Sequence, residues 1–115
     1  MPISPSDAIH VVLRQAGPLD RLASCACRRH GLGNTDIMSG LLYPTDLDAY
    51  EIEVEGHYIA PGHVELYAEH GPDGLFEVQV RESDYLSALA TALAESGDLG
   101  RAAEVESVRK EVRSR

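Results

Sequence analysis

Two cysteines and a histidine lie close together in the chain, and these side chains are common zinc ligands and nucleophiles. They occur as Cys25, Cys27 and His30 in the run Cys-Ala-Cys-Arg-Arg-His. Structural zinc sites generally separate the cysteines of a pair by about two to four residues and add a second pair of ligands. One residue separates this pair, and the other histidines are scattered along the chain. The pattern therefore favours small residues of a helix, and we predict no bound metal.

Other catalytic patterns are weaker. Arg28 and Arg29 would favour the thiolate of a neighbouring cysteine, but the sequence shows no ordered Cys-His-Asp set. The central histidines have acidic neighbours, yet no spacing fixes an acid–base pair. The glycines follow no phosphate-binding pattern. These histidines are His57, His63 and His70, and the glycines are Gly31, Gly33 and Gly40. We therefore predict that the chain is not an enzyme and has no cofactor.

Carboxylates are the most concentrated chemical group in the chain. Between Asp46 and Asp84 the sequence holds eleven acidic residues and a single basic one, Arg81, and this block accounts for the net charge of −9. Such crowding costs folding free energy through repulsion, so a domain that retains it can use it to attract a cationic partner. Nucleic acid is disfavoured as a partner because its phosphates carry the same charge. The block favours a basic protein partner.

The acidic residues alternate with apolar ones, which predicts strands that are buried on one side only. The first alternation covers residues 50–55, the second 63–69 and the third 76–81, with a turn at Gly71-Pro72-Asp73-Gly74 before the third. We therefore predict an antiparallel three-stranded meander over about residues 49–81. Another short strand near residues 41–43 would make it four-stranded.

The predicted meander has one apolar face and one acidic face. If the three strands lie side by side, the acidic face gathers six glutamates and a tyrosine. These residues are Glu51, Glu53, Glu55, Glu65, Tyr67, Glu69 and Glu77. A surface of this kind is often a solvated outer face and no more. Glutamate has a low strand propensity, however, so we predict that these residues bind a partner.

Helices are predicted both before and after the meander in the sequence. Ser4-Pro5-Ser6-Asp7 is typical of a helix start, and a second short helix is expected over residues 19–29. Ser83-Asp84 and Asp98 are predicted caps of two C-terminal helices. The sequence therefore predicts a single α+β domain over residues 1–115, with the helices packed on one face of the sheet. The ends, residues 1–5 and 110–115, are expected to be mobile.

The location is predicted from what the chain does not contain. It has no signal-peptide pattern at its start and no apolar stretch of membrane-spanning length. We therefore expect a cytoplasmic protein that does not enter a membrane.

In size, acidity and α+β pattern the chain resembles the immunity proteins of bacterial toxin systems, including those of contact-dependent inhibition. Such proteins bind a cognate toxin domain, frequently a basic nuclease, and block it. The resemblance implies an inhibitor that presents its acidic sheet face to a basic toxin domain. A secretion or assembly chaperone that acts as a dimer is the alternative. A small metal-dependent enzyme that uses the cysteines is a third hypothesis.

Overall fold

The computed structural model of the chain describes residues 3–34, 38–69 and 74–113. The helices are α1 (Pro5–Gln15), α2 (Leu19–Arg28), α3 (Ala49–Glu53), α4 (Glu82–Glu95) and α5 (Leu99–Arg113), with a 3-10 turn at Pro44–Asp46. The strands are β1 (Leu32–Asn34), β2 (Ser39–Leu42), β3 (His63–Glu69) and β4 (Leu75–Arg81). The predicted turn at 71–74 lies outside the described residues except for Gly74. No described helix is both long and apolar enough to cross a membrane.

The four strands form one antiparallel sheet in the order β1-β2-β3-β4. The predicted class, an α+β fold with an antiparallel meander and helices packed against it, is confirmed. β3 and β4 pair along their whole length, from His63 opposite Arg81 to Glu69 opposite Leu75. Because opposite residues share a face, each face of the sheet can be assigned from this register.

The helices cover the inner face of the sheet. Val64, Leu66 and Val80 project from this face and join one core with the buried sides of α1, α2, α4 and α5. The α4 helix is central, since it contacts α1, α2, α5 and both long strands. One side of α4 therefore belongs to the core. Its fully or nearly fully buried apolar members are Tyr85, Leu86, Leu89, Ala90 and Leu93.

Helix starts follow the predicted capping residues in two of three places. The Ser4 hydroxyl accepts a hydrogen bond from the Asp7 N–H at 3.1 Å, which fixes the start of α1. Asp98 caps α5 by accepting from the Arg101 N–H at 3.2 Å. The α4 helix begins earlier than its predicted cap, at Glu82, directly after the last residue of β4.

The predicted strand at residues 50–55 is wrong, because this segment forms the short helix α3. Asp48 and Glu51 make a reciprocal capping box that supplies the helix start with hydrogen-bond partners. Ile52 and Val54 are 49% and 66% exposed, so their alternation with glutamate does not mark a buried face. The alternation of apolar and acidic residues gave a wrong prediction here because neither side of this segment is covered.

Glycine-rich strands β1 and β2 complete the sheet in place of residues 50–55. Gly33 and Gly40 lie opposite each other, and the Tyr67 side chain crosses them. A Cβ atom at Gly33 would lie 2.5 Å from the Tyr67 hydroxyl, and one at Gly40 would lie 2.6 Å from it. Only glycine therefore admits the tyrosine at this position. The predicted short strand near residues 41–43 is confirmed in part as β2.

Candidate protein-binding site

The outer face of the sheet, the face turned away from the four long helices, carries only part of the predicted acidic cluster. Tyr67 pairs with Glu77 across the strands, and Glu65 and Glu69 lie two residues on either side of Tyr67. These four residues therefore share the outer face, as predicted. Placing the other three glutamates there was wrong, because they lie on or directly after α3. These are Glu51, Glu53 and Glu55.

Glu65 is not available to a partner. Its side chain is only about one-tenth exposed, and its Oε2 lies 2.7 Å from Nε2 of His57. His57 is itself only one-quarter exposed. A carboxylate in this position stabilises the fold through a part-buried ion pair or hydrogen bond. Glu69 and Glu77 are the exposed carboxylates of the outer face.

Gln79, on the neighbouring strand β4, binds the same loop segment that contains His57. It lies directly opposite Glu65, and its Nε2 donates to the Tyr58 carbonyl at 2.6 Å. Its Oε1 accepts from the Ala60 N–H at 3.0 Å. Residues 57–60 are thus held against the outer face at the end marked by Glu65 and Gln79. The end that carries Tyr67 and Glu77 is not reached by these contacts.

Most of the exposed large apolar side chains of the described residues lie within or just before residues 57–60 in the sequence. Seven large apolar residues are exposed in the part of the chain that the structure describes, and four of them lie within residues 50–58. These are Tyr50 at 62%, Ile52 at 49%, Val54 at 66% and Tyr58 at 68%. We call residues 48–58 the acidic segment. Its glutamates alternate with these apolar side chains, so charge and apolar surface are mixed on one exposed segment.

The acidic segment has little internal neutralisation. The sequence contains no lysine or arginine between Arg29 and Arg81. Asp48 and Glu51 are occupied by the capping box, in which the Asp48 N–H donates to Glu51 at 3.1 Å and the Glu51 N–H donates to Asp48 at 2.8 Å. Glu53 and Glu55 are exposed. The segment therefore combines uncompensated negative charge with apolar side chains that the domain leaves in water.

A second cluster of ionisable groups is part-buried, and it links two helices. Arg29 donates from Nη2 and Nε to the two carboxylate oxygens of Glu82 at 2.6 and 3.0 Å. Glu82 is 1% exposed, and this pairing raises the pKa of Arg29. Arg29 directly follows α2 as its C-terminal cap and Glu82 begins α4, so each charge also complements the dipole of the adjoining helix end. The two side chains satisfy each other's hydrogen bonds, so the pair stabilises the fold and is not a binding site.

Tyr43 lies beside this pair and allows a test by pH. Its hydroxyl is buried without a hydrogen-bond partner, and burial together with the nearby Glu82 carboxylate raises its pKa above the ordinary value of 10.0. Above pH 10 the unfolded state therefore releases the proton of the Tyr43 hydroxyl, whereas the folded state keeps it. Stability that is fully present below pH 10 is lost as the pH rises.

We expect Tyr43→Phe to change the free energy of unfolding by less than about 1 kcal/mol at neutral pH, because the lost hydroxyl has no partner. Above pH 10 the variant should lose about 1.4 kcal/mol less per pH unit than the wild type. Urea denaturation at a series of pH values measures both. Burial also raises the pKa of Tyr85, so part of the alkaline loss should persist in the variant. Parallel curves for the two proteins would contradict the assignment.

The cysteine cluster does not gather ligands. Among the described residues, no three histidine, cysteine, aspartate or glutamate side chains are grouped closely enough to hold a metal ion. His30 lies 3.8 Å from Asp46, and His63 contacts the Pro61 carbonyl at 3.0 Å. His70 lies outside the described residues. The third hypothesis, a metal-dependent enzyme, gains no support from these positions.

Cys27 does not have the environment of a nucleophile. It lines an open groove of about 710 Å³ between α2 and α5, with Arg28 and Glu104 among its neighbours. Burial and the Glu104 carboxylate raise the pKa of this thiol, which opposes the thiolate that Arg28 and Arg29 were expected to favour. Arg29 is engaged by Glu82 instead. The groove also contains both signs of charge, so it selects no ionic ligand.

No protein-family model, curated protein or solved structure matches the chain. The acidic segment is therefore the candidate site because of its exposure and charge. The sequence pattern predicted its glutamates as binding residues but assigned Ile52 and Val54 to the core. Asp48 and Glu51, spaced as in a capping box, were the available sign that this stretch is helical.

Proposed function

We propose that this protein is a binding protein that docks the acidic segment on a basic surface of a protein partner and thereby inhibits it. The observation that carries the proposal is the mixture of four exposed apolar side chains with glutamates over residues 50–58. A solvated loop needs charge but gains nothing from exposed tyrosine, isoleucine and valine. Interfaces combine these features, because apolar anchors supply affinity while charge steers the encounter.

The partner that fits this segment has basic side chains around an apolar patch. Lysine or arginine on the partner would face Glu53 and Glu55, and the patch would cover Tyr50 and Ile52. The exposed carboxylates of the outer face, Glu69 and Glu77, extend the negative field without being covered by residues 57–60. Glu65 is excluded from the contact, because it is engaged with His57.

The resemblance to immunity proteins implies that the inhibited partner is a basic toxin domain, which this chain would neutralise in the cytoplasm. A domain of 115 residues with a net charge of −9 suits that role, since it would be drawn to a cationic enzyme before contact. The chaperone alternative expects apolar surface on the helices used for dimerisation. Among α1, α2, α4 and α5, however, the exposed large apolar residue is Leu99.

A growth experiment tests the inhibitory role. The gene directly before the one for this chain should encode a secreted toxin, and its C-terminal domain should arrest growth when it is expressed in the cytoplasm of a test host. Co-expression of the present chain should restore growth and yield a complex of the two proteins. A toxic neighbouring domain that is neither bound nor neutralised, or a neighbouring gene of another kind, would contradict the proposal.

The same partner permits a kinetic prediction for the carboxylates. We expect Glu53→Gln combined with Glu55→Gln to slow association roughly threefold to tenfold at low ionic strength, because the two charges act at a distance before contact. The difference should shrink at physiological salt, where screening is stronger. Stopped-flow association at several salt concentrations measures the effect.

A control with the same change in charge separates local from total charge. Glu95→Gln combined with Glu111→Gln alters two exposed carboxylates on α4 and α5. This control should leave the association rate nearly unchanged, whereas Tyr50→Ala should mainly speed dissociation by removing an anchor. Equal slowing by the two pairs of substitutions would show that only net charge matters, and the acidic segment would then not be the binding site.

A further inference from the structure

The two edges of the sheet differ in how well they are protected. The β1 edge is three residues long and contains Gly33. The β4 edge is seven residues long, runs as Leu-Phe-Glu-Val-Gln-Val-Arg and contains no proline, glycine or lysine. Within the ranges that the structure describes, no strand pairs with the outer side of β4. A long edge of this kind is a template for another strand unless something blocks it.

The sequence of β4 is complementary to itself when two copies run antiparallel. If Gln79 of one protomer faces Gln79 of its partner, then Glu77 faces Arg81 of the partner, and the symmetry repeats this pair. On the inner face the same register sets Val78 opposite Val80. A two-fold axis therefore produces two opposite-charge pairs from a single strand.

Alternative registers lose this complementarity. With Val78 on the axis, Glu77 would face Gln79 and Arg81 would face Leu75. With Glu77 on the axis, two carboxylates would face each other, which is unfavourable. The charges thus select the register that is centred on Gln79. The amide of Gln79 is already bonded to Tyr58 and Ala60 of its own chain, so it needs no partner across the axis.

Arg81 is free to change its contact. It lies 3.2 Å from Asp84, but the two side chains are 69% and 53% exposed, and an exposed pair of this kind contributes little stability. Arg81 is also the one lysine or arginine of the sequence between Arg29 and Arg101. Arg81, the single positive charge of this long stretch, therefore lies at the end of the unpaired edge. In the register centred on Gln79 it faces Glu77 of the second copy.

We propose that β4 is a dimerisation edge, at which a second copy of this chain adds its own β4 antiparallel to form one continuous eight-stranded sheet. The four strands of each protomer make up this count. Main-chain hydrogen bonds would provide affinity, and the two Glu77–Arg81 pairs would provide the register. The contact uses the edge of the sheet and shares only Glu77 with the negative field of the proposed binding site. The anchoring contacts of the partner lie on the acidic segment, so the dimer does not depend on the proposed function.

Charge reversal tests both the edge and the register. Light scattering during gel filtration should give the wild type twice the 12.5 kDa mass of the chain. Glu77→Arg alone and Arg81→Glu alone each place two like charges opposite each other, so each should weaken self-association at least about tenfold. The double variant, Glu77→Arg with Arg81→Glu, restores both pairs and should dimerise like the wild type.

Mixing the two single variants is the decisive measurement. Their β4 strands are complementary in charge, so two proteins that are monomeric alone should form a one-to-one heterodimer. Asp84→Ala serves as the control for Arg81 and should leave the dimer intact. A monomeric wild type, single variants that still dimerise, or a mixture that stays monomeric would each overturn the proposal. A monomeric wild type whose Arg81→Glu variant loses the toxin domain would assign the edge to that partner instead.

Discussion

Replacing Leu89 by alanine is expected to lower the free energy of unfolding by about 2 to 5 kcal/mol. Leu89 is fully buried at the middle of α4, the helix that contacts α1, α2, α5 and both long strands. Truncation would leave a cavity bounded by several elements at once. Those elements are fixed by other contacts and can collapse only in part, so the cavity contributes to the loss along with the removed apolar surface.

Glu53→Ala provides the matched control for Leu89→Ala. Glu53 is exposed on α3, so its replacement should change stability by no more than about 0.5 kcal/mol. Urea midpoints with equal slopes for the three proteins give the comparison directly. Equal shifts for the two variants would contradict the assigned core. Circular dichroism of Leu89→Ala before denaturation verifies that the comparison starts from a folded state.

Long elements with a continuous pattern could be predicted from the sequence. β3 and β4 each alternate over seven residues, and their buried apolar residues lie on one face of the sheet. The helices around them have apolar stripes or capping residues that survive in the structure. In these elements local propensity, periodicity and burial agree, and such agreement makes a sequence specify its structure.

The α3 segment could not be predicted from period alone. Tyr50, Ile52 and Val54 alternate with glutamate as well as any strand of the sheet, yet no residue of α3 is buried. Periodicity predicts a structure only if one side is covered, and here nothing covers either side. The capping box at Asp48 and Glu51 then decides the local conformation. β1 escaped prediction, and β2 was predicted only in part, for the opposite reason: their glycines are required by Tyr67 and give no apolar pattern.

The candidate site was partly predictable for a similar reason. Charge can be counted in a sequence, so the acidic block was evident. Which carboxylate is free depends on distant contacts, and Glu65 is removed from the surface by His57 in a loop that no strand pattern reveals. The exposure of Ile52 and Val54 reversed their expected role from core to contact. The structure thus moves the candidate site from the sheet face to the segment beside it.

Replacing Arg29 by methionine is expected to lower the free energy of unfolding by about 3 kcal/mol, because it leaves the Glu82 carboxylate buried without its partner. Glu82 is 1% exposed and accepts both hydrogen bonds from Arg29. The value lies at the low end for broken buried pairs, since the Arg29 side chain is 40% exposed and water can reach part of its place. Methionine retains much of the apolar stem, so the variant mainly removes charge and hydrogen bonds.

Two further variants separate the pair from its surroundings. Arg28→Met changes the neighbouring exposed arginine and should cost no more than about 0.5 kcal/mol. Arg29→Met combined with Glu82→Leu removes both charges and should recover most of the loss, because an apolar pair has no desolvation cost to repay. Urea denaturation of the wild type and the three variants measures these differences.

A double variant that recovers little of the lost stability would contradict this cause. It would show that Arg29 acts through packing after the end of α2, and the ion pair would then not be what joins α2 to α4.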